Sequence, residues 1–308
     1  AGADARARVD PLTSSPAAPH APPVVGRDYS VESLGRGVHL FRWQRGFYLS
    51  TFVVGDRGVT AVDPIDDAAA AAYRAAIASV TDKPLARIVY SHDHRDHICG
   101  GRVLAAGVDC EVCAHAAARQ RIARRGDADV LPPTHDLGDG AVLADGGARI
   151  EVRDFGPNHS DSNLLFLLPT ERGRLLVWVD GVEPGVAPYR NLPDTDFGGY
   201  LHSLEQAARL DFDLVVGGHT GPGAPHWVVD YRDYLLRLLE ATRRVFAASG
   251  GQAPRPDEDG VAMTERVRGE VAQAAATELQ GRYGHWSGFR QWAPQTADRI
   301  LSYLITGN

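Results

Sequence analysis

The residues best equipped for chemistry sit in one short knot, His92-x-His94-x-Asp96-His97, where four metal-binding side chains fall within six positions. The knot follows an apolar run from Ala86 to Tyr90 that reads as a strand, so its members are expected on the loop leaving that strand. Alternation carries the imidazoles of His92 and His94 to the same side, while Asp96 and His97 turn toward a neighbouring point. That arrangement suits two adjacent cations. Ions about 3.5 to 4 Å apart can share one bridging hydroxide and so generate a nucleophile at neutral pH.

The knot resembles the hallmark of the metallo-β-lactamase superfamily, H-x-H-x-D-H after a strand. The resemblance implies three further ligands at the ends of later strands, and each has a residue in the right order. His159, within Pro157-Asn158-His159-Ser160, follows the run Ile150 to Phe155; Asp180 ends the run Leu175 to Val179; His219, within Gly217-Gly218-His219-Thr220-Gly221, follows Leu214 to Val216. Carried over residue by residue, a first metal takes His92, His94 and His159, a second takes Asp96, His97 and His219, and Asp180 bridges both. Asp63, after the run Val59 to Val62, matches the family's strand-end aspartate and is expected to orient a ligand imidazole from outside the ligand set. The match runs from Val38 to His219. It implies an α/β protein, an αββα sandwich of the metallo-β-lactamase type with a C-terminal helical extension. One departure stands out: the usual Gly after the His-Ser/Thr motif is replaced by Asp161-Ser162-Asn163.

Asp180 separates the branches of that superfamily. Antibiotic-degrading members carry cysteine, serine or another residue there, whereas glyoxalase II-like thioesterases, lactonases and alkylsulfatases use a bridging carboxylate, so a true β-lactamase is disfavoured. The implied reaction is hydrolysis of a small ester, thioester or lactone by a metal-bridging hydroxide, with Asp96 as a catalytic residue that accepts a proton or orients water besides binding metal. An alkylsulfatase-type sulfuric ester hydrolase is the alternative, because Lys83-Pro84 through His97 looks like the corresponding stretch of that group, although this chain is much shorter. A diiron redox enzyme on the same scaffold, and a binding partner without turnover, are further readings. Nitrogen and oxygen donors alone point to two Zn²⁺, with iron and manganese compatible.

Substrate contacts are expected outside the ligand set. Tyr189 and Arg190 follow Asp180 in a loop punctuated by Pro184, Gly185, Pro188 and Pro193, and loops after ligand strands commonly form pocket walls. His226 lies close enough to His219 in sequence to line the cleft. His115 is expected to open a helix, and His135, His202 and His285 to play ordinary roles. Cys110 and Cys113 form a lone C-x2-C, read as two packed thiols.

The elements that must hold these residues alternate along the chain. Short β-rich runs from Val38 to Val62 precede an Ala-rich helix expected from Asp66 to Val80; after the knot come a helix near Ile98 to Ala106, a strand near Cys110 to Cys113 and a helix near Ala114 to Arg125. A second β-rich half runs from Ala141 to Val179, then a helix near Phe197 to Ala208, a strand at Leu214 to Val216, and helical periodicity beyond Trp227. Residues 1–26 read as a flexible Pro/Ala-rich arm, 27–226 as the metallo-β-lactamase-like domain, and 227–308 as C-terminal helices packed on it. With 308 residues, 44% apolar and 23% charged, the composition is that of a globular protein, and a net charge of −7 disfavours nucleic acid as a partner. No apolar run is long enough to span a membrane, and the expected partner is a small-molecule substrate. A cytoplasmic location is expected, with secretion left open.

Overall fold

A computed structural model describes residues 24–25, 28–45, 47–250 and 253–307. Five strands come first, β1 (Val24–Val25), β2 (Tyr29–Gly35), β3 (Val38–Trp43), β4 (Tyr48–Val54) and β5 (Val59–Val62), followed by α1 (Asp67–Val80) and β6 (Leu85–Val89). Two single turns of helix, α2 (Arg95–Ile98) and α3 (Gly101–Leu104), lead to β7 (Glu111–His115), α4 (Ala116–Arg125) and β8 (His135–Leu137). These eight strands form one sheet in sequence order, antiparallel up to β5 and parallel from β5 to β8. The second sheet holds β9 (Val142–Asp145), β10 (Ala148–Arg153), β11 (Leu165–Thr170), β12 (Gly173–Val177) and, after α5 (Phe197–Ala207), β13 (Leu214–Val216), which pairs parallel with β12. Helices α6 (His226–Ala248), α7 (Gly260–Tyr283) and α8 (Phe289–Thr306) follow.

Strand alternation sorts the buried side chains into layers. On β3, Val38 and Leu40 face the second sheet, where they join Phe166, Leu168, Leu175 and Val177, while Phe41 and Trp43 face α1 and its Tyr73. On β11 and β12 the opposite faces, Leu165, Leu167 and Leu176, pack under α5 to α8 with Tyr231, Tyr234, Leu238 and Trp286. The result is helix, sheet, sheet, helix, the αββα sandwich. The central strands β4, β5, β11 and β12 are largely apolar on both faces because both are covered. The Asp66 carboxylate caps α1 by accepting from the Ala69 amide at 2.7 Å.

Several boundaries differ from the sequence reading. The helix expected near Ile98 to Ala106 is two separate turns, and the first begins at Arg95, so Asp96 and His97 sit on a helical turn rather than on loop. Strand β2, not expected from the sequence, buries Val31 toward α1 and Leu34 toward the second sheet between polar residues, with a register shift between Ser33 and Gly35. The expected arm lies outside the described residues except for Val24 and Val25, which pair with Val31 and Ser30. Among the described residues no helix is long and apolar enough to cross a membrane.

Topology gathers the site. β5 and β6 run parallel, as do β12 and β13, and the turns β3–β4 and β10–β11 lie at the edge where those strands end. Every segment of the expected ligand set therefore emerges at that edge.

Candidate metal centre

The knot leaves β6 beside the end of β5, which places Asp63 next to Ser91. Asp63 accepts the Ser91 amide at 2.8 Å and the Ser91 hydroxyl at 2.6 Å, and the Ser91 oxygen lies 2.8 Å from His92 Nδ1. With its proton donated to Asp63, Ser91 can only accept from Nδ1, which leaves the His92 Nε2 lone pair facing the cluster. Asp63 Oδ2 also stands 3.9 Å from His97 Nδ1. Asp93 points the other way: fully buried, it accepts from Arg125 at 2.5 Å and from the Ser162 hydroxyl at 2.7 Å.

The Ser162 contact explains the departure noted at 161–163. Ser162 ties the His159 loop to the knot, Asn163 donates to the Val179 carbonyl at 2.8 Å, and Asp161 pairs with Arg121 at 2.6 Å. Ser162 and Asn163 thus fasten the His159 loop to the knot and to the Asp180 segment, and Asp161 ties it to α4. Asp180 stands three residues past β12 at φ 60°, a left-handed conformation that turns its carboxylate into the cluster. The Gly217-Gly218 pair lets the His219 loop approach: a Cβ at Gly218 would stand 2.9 Å from Asp180 Oδ1 and from His97 Cε1.

The seven side chains converge in two groups. Ligand atoms of His92, His94, His159 and Asp180 lie within 4.8 Å of one another, and so do those of Asp96, His97 and His219. Asp180 joins them: Oδ2 is 3.2 Å from His97 Nε2, 3.3 Å from His159 Nε2 and 3.7 Å from His92 Nε2, while Oδ1 is 3.0 Å from His219 Nε2. His94 Nδ1 and His159 Nε2 stand 3.1 Å apart, close to the about 3.3 Å expected of two nitrogens about 2.0 Å from one tetrahedral ion.

Protonation follows from burial and neighbours. Burial, then the adjacent His97 and His94, hold His92 well below the usual imidazole range, so it is a neutral donor. For Asp180, burial works upward but is outweighed by the imidazoles of His97, His159 and His219, which keep the carboxyl well below its ordinary value. His97 is lowered by burial yet raised further by Asp180, Asp96 and Asp63, to about 10. The Nε2 atoms of His92 and His97 are buried without a hydrogen-bond partner. Orphaned, converging ring nitrogens around an ionised carboxylate are the donor set of a cation.

The sequence profile of the metallo-β-lactamase superfamily matches residues 43–219, the span that holds every member of this cluster. The chain belongs to the metallo-β-lactamase superfamily. Among curated proteins it is 33% identical over 177 residues to the alpha subunit of a 2,4-dinitroanisole O-demethylase from Nocardioides sp. (strain JS1661), covering 56% of this chain and 53% of that one. The beta subunit of the same enzyme is 27% identical over 210 residues, 67% of this chain and 64% of that one. The chain thus spans between about half and two thirds of the length of these relatives. Solved metallo-β-lactamases share the fold: that from Pontibacter korlensis has a TM-score of 0.57 at 16% identity, covering 67% of this chain and 99% of the other. One from Erythrobacter litoralis has a TM-score of 0.55 at 21% identity, covering 68% and 97%.

Within this superfamily scaffold three supporting residues escaped the sequence reading. Tyr48, first residue of β4, donates to Asp96 Oδ2 at 3.0 Å, and its ring lies 4.6 Å from that of His219. Asp194, past the Asp180 loop, accepts from His94 Nε2 at 3.2 Å and from Arg121 at 2.8 Å, which commits His94 to present Nδ1. Glu183 accepts the amides of Gly218, His219 and Thr220 at 2.6, 3.0 and 2.9 Å and the Thr220 hydroxyl at 2.7 Å, cradling the His219 loop. His219 Nδ1 donates to the Phe47 carbonyl at 3.1 Å, so Nε2 faces Asp180.

The expected substrate contacts have partners of their own. Tyr189 is exposed and meets Trp292 of α8 edge-on at 5.1 Å, the Arg190 guanidinium lies 5.4 Å over the Tyr189 ring, and the Arg190 carbonyl accepts from Thr296 at 2.8 Å. His226 opens α6, with Nε2 3.9 Å from Asp230. Cys110 packs on the helix side of the first sheet and Cys113 between the sheets, so the two thiols point to opposite faces and are unpaired.

Proposed function

We propose that this chain is a dinuclear metal-dependent hydrolase acting on a small ester, thioester or lactone, with zinc as the metal. The observation that carries this reading is Asp180, one carboxylate that reaches both donor groups, with Oδ1 3.0 Å from His219 and Oδ2 set between His97 at 3.2 Å and His159 at 3.3 Å. Bound divalent cations supply Lewis-acid charge and lower the pKa of water, which is the chemistry of hydrolysis at neutral pH. The residues do the rest. His92, His94 and His159 hold one ion and Asp96, His97 and His219 the other. Asp63 keeps the His92 proton on Nδ1 through Ser91, and Asp194 does the same for His94 at Nε2. Asp96 has a half-exposed side chain, and Tyr48 holds one of its oxygens. The other is available to accept a proton from water or orient it. Tyr189, Arg190 and His226 are assigned to the substrate rim. Residues 27–226 carry the chemistry in this reading, with 227–308 bracing it.

A second reading is cleavage of an aryl methyl ether, supported by the alignment of this chain with both subunits of a 2,4-dinitroanisole O-demethylase. The deciding experiment is a substrate panel on zinc-loaded protein: phenyl acetate, an acyl thioester, a lactone, an alkyl sulfate and 2,4-dinitroanisole. Turnover of the carboxylic esters, abolished by chelation and restored by zinc, is expected. Turnover of dinitroanisole alone would install the second reading, and turnover of the sulfate alone would move the protein to sulfuric esters.

A further inference from the structure

Arg42 is out of place. Among the described residues it is the partly buried arginine whose side chain has neither hydrogen bond nor ion pair; the others without side-chain partners, such as Arg36, Arg124 and Arg237, are exposed. The five guanidinium N–H donors of Arg42 are thus left without a protein acceptor.

Its position gives that vacancy a direction. Arg42 follows Val38 and Leu40 on the face of β3 turned toward the second sheet, one residue from the end of the strand. It pairs across β4 with Leu49, whose amide donates to the Gly218 carbonyl at 2.7 Å. A Cβ at Gly221 would stand 3.4 Å from Arg42 Nη2, so the guanidinium lies against the His219–Gly221 loop, at the edge where the donor groups converge. Other arginines near the cluster are saturated: Arg121 by Asp161 and Asp194, Arg125 by Asp93 and Asp127.

We propose that Arg42 is a specificity-determining residue that binds an oxyanion on the substrate, a carboxylate above all, beside the His219 arm of the site. The inference rests on the hydrolase reading for its reaction, but the anion contact does not need turnover. A planar guanidinium grips a carboxylate through paired N–H donors. The substrates favoured are therefore small esters, thioesters or lactones bearing a free carboxylate.

Calorimetric titration of the zinc-loaded full chain with benzoate, and with neutral benzamide as its control, tests this. Benzoate is expected to bind at least about tenfold more tightly than benzamide, and Arg42→Gln to erase that preference. Arg42→Lys keeps the charge and is expected to keep part of it. Repeating the titration after chelation separates the two anion sinks: benzoate held by zinc alone disappears with the metal and ignores Arg42→Gln. That pattern, an undetectable benzoate signal, or equal loss of both ligands in the variant would overturn the proposal. If the substrate panel shows no hydrolysis while benzoate binding still depends on Arg42, the hydrolase reading fails and the anion site stands.

Discussion

The two halves of the cluster share ligand types but differ in what holds them. Around His92, His94 and His159 the support is largely ionic: Asp63 through Ser91 and Asp93 with Arg125 and Ser162 are buried, and Asp194 with Arg121 is exposed. Around Asp96, His97 and His219 it is a phenol, a backbone carbonyl and the Glu183 cradle. Exposure differs most between the His92 side chain at 0% and that of Asp96 at 52%, although His97 is also buried, at 2%. A preorganised ligand loses less freedom when a metal arrives, so the first half should bind its ion more tightly and the second should hold the exchangeable one.

The largest effect is expected at the residue both halves share. Asp180→Ala should lower kcat/KM by about a hundred- to a thousandfold, the scale of losing a principal electrostatic stabiliser. The fold should survive, because Asp180 lies beyond β12 and removing its side chain empties no part of the core; a melting curve close to wild type checks this, and retained activity with both metals would contradict it. Asp194→Ala cuts only at the first half. Loss of an orienting partner typically costs about 10- to 100-fold in metal affinity. Competition against a chelator should show that loss for the tighter ion while the weaker one is unmoved; an equal loss in both would erase the distinction.

A smaller effect separates the halves by pH. In the metal-free chain His97 is raised to about 10, so it carries a proton at neutral pH, whereas His92 is already neutral. An ion entering the second half must displace that proton, so its apparent affinity should fall as pH drops below about 10, by about tenfold per unit. Metal uptake followed in buffers of different ionisation enthalpy reads the released proton directly. Proton release confined to the tighter ion would reverse the assignment. Tyr48→Phe should have the smallest effect. It frees Asp96 Oδ2 without removing a ligand, and losing one partly exposed hydrogen bond costs about 0.5 to 1.5 kcal/mol, a two- to tenfold decrease in activity.

The seven side chains that converge were legible because metal binding demands particular side chains at strand ends, and a strand end is visible as an apolar run stopping at His or Asp. Their supports were not. Asp194 lies 100 positions from His94, and Tyr48 is 48 positions from Asp96. Nothing local marks either: an aspartate in a Pro-rich loop or a tyrosine opening a strand is ordinary until folding brings it to a ligand. The alternation of strands and helices was readable from apolar runs, whereas the αββα layering came from the resemblance carried by the knot and the later strand-end residues. Strand β2 was not readable, because its two buried side chains, Val31 and Leu34, face opposite sides of the sheet and leave no apolar run. The helical turn at Arg95 was hidden for a related reason, as the polar knot offers no apolar periodicity.

Zinc titration followed by native mass spectrometry on wild-type protein, His219→Ala and His92→Ala tests the paired, unequal centre most directly. The wild type should fill in two steps to two ions per chain, His219→Ala should keep the tighter ion alone, and His92→Ala should lose that one. A wild-type chain that stops at one ion, or a His219→Ala variant that loses both together, would contradict it.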